Sequence, residues 1–236
     1  MARLSILIPV YNEEKTIVKV IDEVDKVKIN NVEKEIIVVD DCSTDKTRDI
    51  LKKIKNKSVK IFYHNKNMGK GSAIRTALEN STGGIISIQD ADLEYEPRYI
   101  AKLVKPILEG KSDVVYGSRF LGKKLIFFGK EKTILPSHWI GNRFLTLFTN
   151  LLYNGKITDM ETGCKVFRKN VIKGINLKAT RFDIEPEITA KILKRGFKIK
   201  EIPIDFNPRT SEEGKKITWI DGIKAAYYLL KYRIFD

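Results

Sequence analysis

Asp90 and Asp92 stand one residue apart, directly after the apolar run Ile85-Ile86-Ser87-Ile88. Two carboxylates so spaced at a strand end can present oxygens to one hard cation and leave coordination positions open for phosphate oxygens. A cation held there would neutralise the charge that builds on a leaving diphosphate. A second acidic pair, Asp40-Asp41, ends the run Glu35–Val39. Carboxylates at that place can accept hydrogen bonds from ring N–H groups and ribose hydroxyls. Cations occupy comparable positions: Arg119 in Gly117-Ser118-Arg119, then Arg209 and Lys215 in the stretch from Pro208 to Lys216. Arginine can hold a phosphate through two parallel bonds, and lysine adds a point charge. Asn67-Met68-Gly69-Lys70-Gly71-Ser72 opens a helical segment and offers a phosphate cradle. It lacks Walker spacing, with His64 at the first glycine's place and Gly71 after Lys70, so a turn before a helix is the better reading.

A parallel sheet would bring these groups to one rim. Short apolar runs at Leu4–Val10, Glu35–Val39, Val59–Tyr63, Ile85–Ile88 and Asp113–Tyr116 read as buried strands. Between them Ile17, Val20, Ile21 and Val24, then Ile74, Ala77 and Leu78, follow helical spacing. Alternating strands and helices predict an α/β fold with a ligand crevice at the strands' C-terminal ends. Ser43 or Thr44 is expected to cap a helix starting near Asp45. Arg119 is expected on a strand beside the one that carries Asp90 and Asp92. Beyond residue 120 the alternation breaks down. Trp139–Tyr153 places Ile140, Phe144, Leu147, Phe148 and Leu151 on one helical face. A strand near Lys165–Arg168, a helix near Glu185–Arg195, a strand at Lys198–Asp205 and a final helix at Thr218–Lys231 complete the expectation.

Composition bounds the function. With 236 residues, 42% hydrophobic and 31% charged, the chain has the makings of a globular core and none of a disordered segment. Its net charge of +14 suits anionic partners, among them nucleotide phosphates, nucleic acid and acidic lipid headgroups. Nucleic acid is the poorest fit, because clustered carboxylates repel a phosphate backbone. Cys42 and Cys164 have no metal-type spacing and suit a reducing, cytosolic setting. The apolar run after Met1 is too short for a signal peptide, and no run of about 18 apolar residues predicts a membrane span.

Six motifs occur in order: Pro9-x-Tyr11-Asn12-Glu13, Asp40-Asp41-x-Ser43-x-Asp45, Asn67-x-Gly69-Lys70-Gly71, Gln89-Asp90-Ala91-Asp92, Gly117-Ser118-Arg119 and Asp159-Met160-Glu161-Thr162-Gly163. Together they resemble the family-2 inverting glycosyltransferases of GT-A fold, in the dolichyl (polyprenyl) phosphate hexosyltransferase branch typified by dolichol-phosphate mannose synthases. The resemblance implies one glycosyltransferase domain over 1–236: a mostly parallel, Rossmann-like sheet in a nucleotide-sugar-binding part at 1–119, and an acceptor lobe with amphipathic helices at 120–236. It implies that Pro9, Tyr11, Glu13, Val39 and Asp41 hold base and ribose. Asp90 and Asp92 would bind Mg²⁺ or Mn²⁺, with Ala91 in close backbone contact and Glu94, where relatives often carry Gln, as a further neighbour of the ion. Arg119, Arg209 and Lys215 would contact phosphates. Asp159 and Glu161 would lie near the transferred sugar, with Lys165 nearby. His138 stands in a stretch where relatives carry Arg or Lys.

The implied reaction transfers a hexose, mannose or glucose in type, from a GDP- or UDP-sugar to a polyprenyl or dolichyl phosphate. A sugar hydroxyl acceptor would need a carboxylate base, whereas a lipid phosphate is already anionic. Trp139–Tyr153 and Trp219–Phe235 both suit a headgroup boundary, and so imply a peripheral protein at the inner face of the cell membrane. Relatives often carry C-terminal membrane helices, so a membrane-anchoring partner protein is also implied. Two rival readings are transfer to a soluble or cell-surface glycan and synthesis of the activated sugar; the second lacks the glycine-rich loop it would need after the first strand.

Overall fold

Alternate residues of the central strands enter different cores, and this explains why their sequences are apolar throughout. In the computed structural model, which describes residues 1–123, 136–209 and 219–235, the first strand is β1 (Ala2–Val10). Its Leu4, Ile6, Ile8 and Val10 face one cluster and Leu7 faces another. After helix α1 (Ile17–Lys26), strand β2 (Val32–Asp40) repeats the pattern, with Ile36 and Val38 on one side and Ile37 and Val39 on the other. There follow α2 (Thr47–Leu51), β3 (Val59–Tyr63), α3 (Lys70–Glu79), β4 (Ile85–Ile88), α4 (Tyr99–Leu108) and β5 (Val114–Ser118). The remainder comprises α5 (Pro136–Tyr153), β6 (Lys165–Arg168), α6 (Lys169–Ile172), α7 (Ile184–Lys194), β7 (Ile199–Pro203) and α8 (Trp219–Ile234).

Apolar side chains of α1, α2 and α4 cover one face of the sheet, and those of α3, α6 and α7 cover the other. A third cluster joins α5, α7 and α8 through Leu145, Tyr153, Ala190, Ala225, Leu229 and Tyr232. These helices come from the stretch after residue 120, whose β6 and β7 join the sheet itself. The expected strands and helices are present within a few residues, and α4 and α6 join them without having been foreseen. The expected cap of α2 is corrected: the Asp45 carboxylate accepts the Thr47 N–H, while the Ser43 hydroxyl accepts that of Asn12.

The seven strands run in the order β3-β2-β1-β4-β6-β5-β7. Pairing is parallel except for β6, which runs antiparallel to both β4 and β5. Arg119 is therefore not on the strand beside Asp90 and Asp92, as expected, because β6 lies between β4 and β5. The reversal has a use. It delivers the start of β6, and the residues just before it, to the rim where the parallel strands end.

The opposite rim is tied by one side chain. Glu35 accepts hydrogen bonds from the Ser5 hydroxyl (2.6 Å), the Thr82 N–H (2.6 Å) and the Gly83 N–H (3.1 Å), and pairs with Lys60 at 2.8 Å. Burial alone would raise its carboxyl, but the bonds from Lys60, Ser5 and Thr82 prevail and hold it at about 2. A depressed carboxyl contributes stability above its unfolded-state value and loses that contribution as pH falls towards its folded value. Glu35→Gln should thus cost about 2 kcal/mol at pH 7. Urea unfolding between pH 7 and pH 3 should show the gap to wild type narrowing below the ordinary carboxylate range; a constant gap would contradict a charge-based clamp.

Candidate active site

The loops that leave β1, β2 and β4 are bent by residues in the left-handed region: Asn12 (φ 54°), Cys42 (φ 62°) and Leu93 (φ 63°). Asparagine tolerates this region, whereas for Leu93 it is strained, so neighbouring bonds must hold the loop. The first two loops are laced together. The Asn12 N–H donates to Ser43 Oγ, and the Thr44 N–H donates to Asn12 Oδ1. Arg209, arriving from β7, fastens the third: its side chain donates to Asp92 O and its N–H donates to Glu94 Oε1 at 2.9 Å. The same guanidinium grips both oxygens of Glu13, at 3.0 and 2.8 Å.

Asp41 is buried and serves the N-terminus of α3. Its Oδ1 accepts the Met68 N–H and its Oδ2 the Gly69 N–H, while His64 Nδ1 lies 2.7 Å from Oδ1. Two further donors of this helix start, the N–H groups of Gly71 and Ser72, reach the carbonyls of Arg181 and Thr180. Gly69 has φ 90°, and a Cβ there would lie 2.4 Å from the Thr180 carbonyl oxygen. The stretch Asn67–Ser72 is thus the turn before a helix and its first residues, with the amides of Met68, Gly69, Gly71 and Ser72 already paired. Asp41, expected at the base and ribose, is the carboxylate that caps it. Asp40 is buried too, bonded to Arg48 Nε at 2.9 Å.

At the end of β4, Asp90 and Asp92 have different surroundings. Asp90 Oδ1 pairs with Lys70 Nζ at 2.7 Å, and Lys70 also meets Glu185 Oε1 at 3.0 Å. Glu185 in turn pairs closely with fully buried Lys165, whose ammonium also donates to the Met160 and Thr162 carbonyls. Lys165, expected near the sugar, is thus fully buried beneath Glu185. The Asp92 carboxyl is pushed up to about 7, first by burial and then by the neighbouring Asp90 and Glu94 charges. Burial and Asp90 raise Glu94 as well, against the pull of the Arg209 N–H and charge. Among the described residues no group of three or more His, Cys, Asp or Glu side chains is arranged to hold an ion unaided. The Asp92–Glu94 edge nonetheless fits a cation completed by ligand oxygens, since buried negative charge exceeds nearby positive charge there.

The segment before β6 supplies the far wall. Asp159 is fully buried, and Arg119 Nε and Nη2 grip its two oxygens at 2.7 Å each, with the Arg119 N–H adding a third bond. Glu201 on β7 accepts the N–H groups of Thr158 and Asp159. Glu161 has a buried oxygen, Oε1, with no hydrogen-bond partner. Burial first and the Glu185 charge second push its carboxyl up to about 7. Gly163 is a close approach: a Cβ there would lie 2.1 Å from Asp90 Oδ2.

The rim thus gathers Tyr11, Glu13, Asp90, Ala91, Asp92, Glu94, Arg119, Asp159, Glu161 and Arg209. The side chains of Val39 and Pro9 are buried in the sheet, and Ala91 is buried beside Asp90. Arg119 and Arg209, expected on ligand phosphates, have protein carboxylates as partners. Lys215, the loop around it, and the side chains of His138 and Trp219 lie outside the described residues. Lys70 and Glu185 escaped the sequence reading as site residues. Glu185 gave no signal, but Lys70 gave one: a lysine in the first turn of a helix sits at the unfavourable end of the dipole.

Because Asp159 is buried, Arg119→Met should cost about 3–5 kcal/mol by leaving an unpaired charge. Arg119→Met with Asp159→Leu should regain most of that loss. Urea midpoints of the three proteins test this, and a harmless single variant would show that the pair is not a buried ion pair.

Comparison with known proteins agrees with this architecture. An uncharacterised protein of Methanocaldococcus jannaschii is 31% identical over 98% of this chain and 92% of its own length. A UDP-N-acetylglucosamine–dolichyl-phosphate N-acetylglucosaminyltransferase of Methanococcus voltae is 29% identical over 97% of this chain and 95% of its own. A dolichol-phosphate mannosyltransferase of Pyrococcus furiosus is 29% identical over 98% of this chain, which spans only 64% of that relative. In fold, the chain matches the GT-A glucosyl-3-phosphoglycerate synthase of Mycobacterium tuberculosis with a TM-score of 0.73 and 19% identity, over 100% of this chain and 80% of that one. The model of glycosyl transferase family 2 matches residues 5–175. With a matching family model and six motifs seated around one crevice, the chain belongs to glycosyl transferase family 2 and is a glycosyltransferase.

Proposed function

We propose that this enzyme transfers a hexose from a nucleoside diphosphate sugar to a polyprenyl or dolichyl phosphate, with inversion and with help from Mg²⁺ or Mn²⁺. The observation that carries the acceptor choice is the bidentate grip of Arg119 on Asp159. A carboxylate with both oxygens bonded to a guanidinium is a poor general base, and a phosphate nucleophile needs none. The relatives named for dolichyl-phosphate acceptors support the same choice.

A divalent ion, when bound, would supply Lewis-acid neutralisation of the leaving diphosphate. Asp92 would hold it, with Asp90 and Glu94 beside it. The solved neighbour from M. tuberculosis carries Mn²⁺ and UDP, which supports a metal and a nucleotide here. Asp41 and Glu13 act on base and ribose through the loops they brace: Asp41 shapes 67–69, and Glu13 anchors Arg209. Arg119 holds the far wall through Asp159. Lys215 is assigned to the acceptor phosphate by resemblance alone.

A second reading, transfer to a hydroxyl of a soluble or cell-surface glycan, has Glu161 in its favour, because a carboxyl near 7 with a bare oxygen can accept a proton. The proposal predicts that label from UDP- or GDP-hexose enters an organic-extractable lipid when polyprenyl phosphate is supplied. It predicts that EDTA or Asp92→Ala abolishes this without unfolding the protein. Transfer only to water-soluble glycans would favour the second reading, and full activity in EDTA would remove the metal.

We further propose that the protein works at the inner membrane face. On α5, Ile140, Phe144, Leu147 and Leu151 are exposed; on α8, Ile223, Tyr227, Leu230 and Ile234 are too, at 42% to 74% across the two stripes. Lys224, Lys231 and Arg233 are exposed alongside. Trp139, expected among the anchors, instead packs edge-on to Phe120 and beneath Arg143. Among the described residues no helix is long and apolar enough to cross a membrane. Peripheral binding, or a membrane-anchoring partner protein, would bring a lipid acceptor within reach. Anionic liposomes should float the protein at low salt, and Phe144→Ser with Tyr227→Ser should weaken flotation by about 10-fold or more. Normal flotation of that variant would exclude this face.

A further inference from the structure

Lys70 is placed by two helix starts at once. Its own helix, α3, is fixed by the Asp41 cap and by the bonds of Gly71 and Ser72 to the 180–181 backbone. Its first partner other than Asp90 is Glu185, in the first turn of α7, where a carboxylate suits the dipole. Glu185 is anchored from below by Lys165, so the charges alternate along Lys165, Glu185, Lys70 and Asp90. The side chains of Lys165 and Glu185 are 0% and 5% exposed, and those of Lys70 and Asp90 are each 16% exposed. The series thus climbs from the core to the crevice. On its other side Asp90 backs onto Gly163, where even a methyl group would collide with Oδ2. Asp92 has no such tether.

We propose that Lys70, braced by Glu185, is a positioning residue that immobilises Asp90 for the cation and diphosphate. The inference rests on the metal-assisted reading above. A lysine bound to Asp90 from the side holds the carboxylate aimed before any ligand arrives, so little ordering remains to be done on binding. Removing one partner of a buried ion pair destabilises the fold, so a merely structural lysine would show itself as lost stability with metal-nucleotide coupling unchanged. A positioning lysine would show itself as lost coupling.

The test measures affinity for UDP, and separately for GDP, by calorimetry with and without Mn²⁺ on the full chain. The quantity read is the ratio of the two affinities for the nucleotide that binds. In Lys70→Met, Glu185 keeps Lys165 as partner, and the protein should fold. Its ratio should drop by about 10-fold or more, the loss of one charge-assisted contact, while metal-free nucleotide affinity stays within about 2-fold. Lys70→Arg should recover part of the ratio. An unchanged ratio in folded Lys70→Met overturns the inference alone. If Lys70→Met does not fold, Glu185→Gln is read in its place: a several-fold drop supports the brace, and no drop overturns it. A wild type whose ratio is one for both nucleotides overturns the metal-assisted reading itself.

Discussion

A carboxylate withdrawn from water must meet a cation or several N–H groups, or else take up a proton. The crevice of this enzyme is organised by that requirement. Asp41 is met by two helix-start amides and a histidine, Asp159 by Arg119, Glu13 by Arg209, and Asp90 by Lys70. Each pairing joins segments far apart in sequence, so satisfying the charge also builds the walls. Other carboxylates near the crevice are less fully met. Burial raises Asp92, Glu94 and Glu161, as it does Glu201 on β7, and the first three are the groups for which the proposed function has a use.

This division of labour changes the meaning of the basic residues. Read as isolated cations, Arg119 and Arg209 look like phosphate ligands. In the fold, each spends its guanidinium on a carboxylate and thereby fixes a loop: Arg209 spans Glu13 and the Asp92 carbonyl, and Arg119 pins the segment that leads into β6. The strained backbone at Leu93 is held in the same way, by bonds from the strand end that follows β7.

Much of this was legible in the sequence, and the remainder was hidden for physical reasons. Strand positions followed from runs such as Ile85–Ile88, because a strand buried on both faces has no polar register to confuse the pattern. Asp90 and Asp92 were found because strand ends in such sheets are where ligands bind. The insertion of β6 was not legible: its four residues read as a strand, but nothing local states the direction of pairing. Glu185 was hidden for a similar reason, since a glutamate opening a helix looks like ordinary dipole compensation. Asp41 was read as a ligand for base and ribose because capping by a residue more than twenty positions upstream has no sequence signature.

The bonds that close the crevice also set a timetable. Arg209 reaches Glu13 across 196 residues and Glu94 across 115. On a ribosome, β1 to β4 can pair while the rest of the chain is still being made, because their connections are short helices. During that interval Asp90 and Asp92 stand together without the strand, the glutamate or the arginine that later enclose them. The acidic rim therefore matures after the sheet, and a nascent chain ending before residue 209 holds a finished sheet with an unfinished mouth.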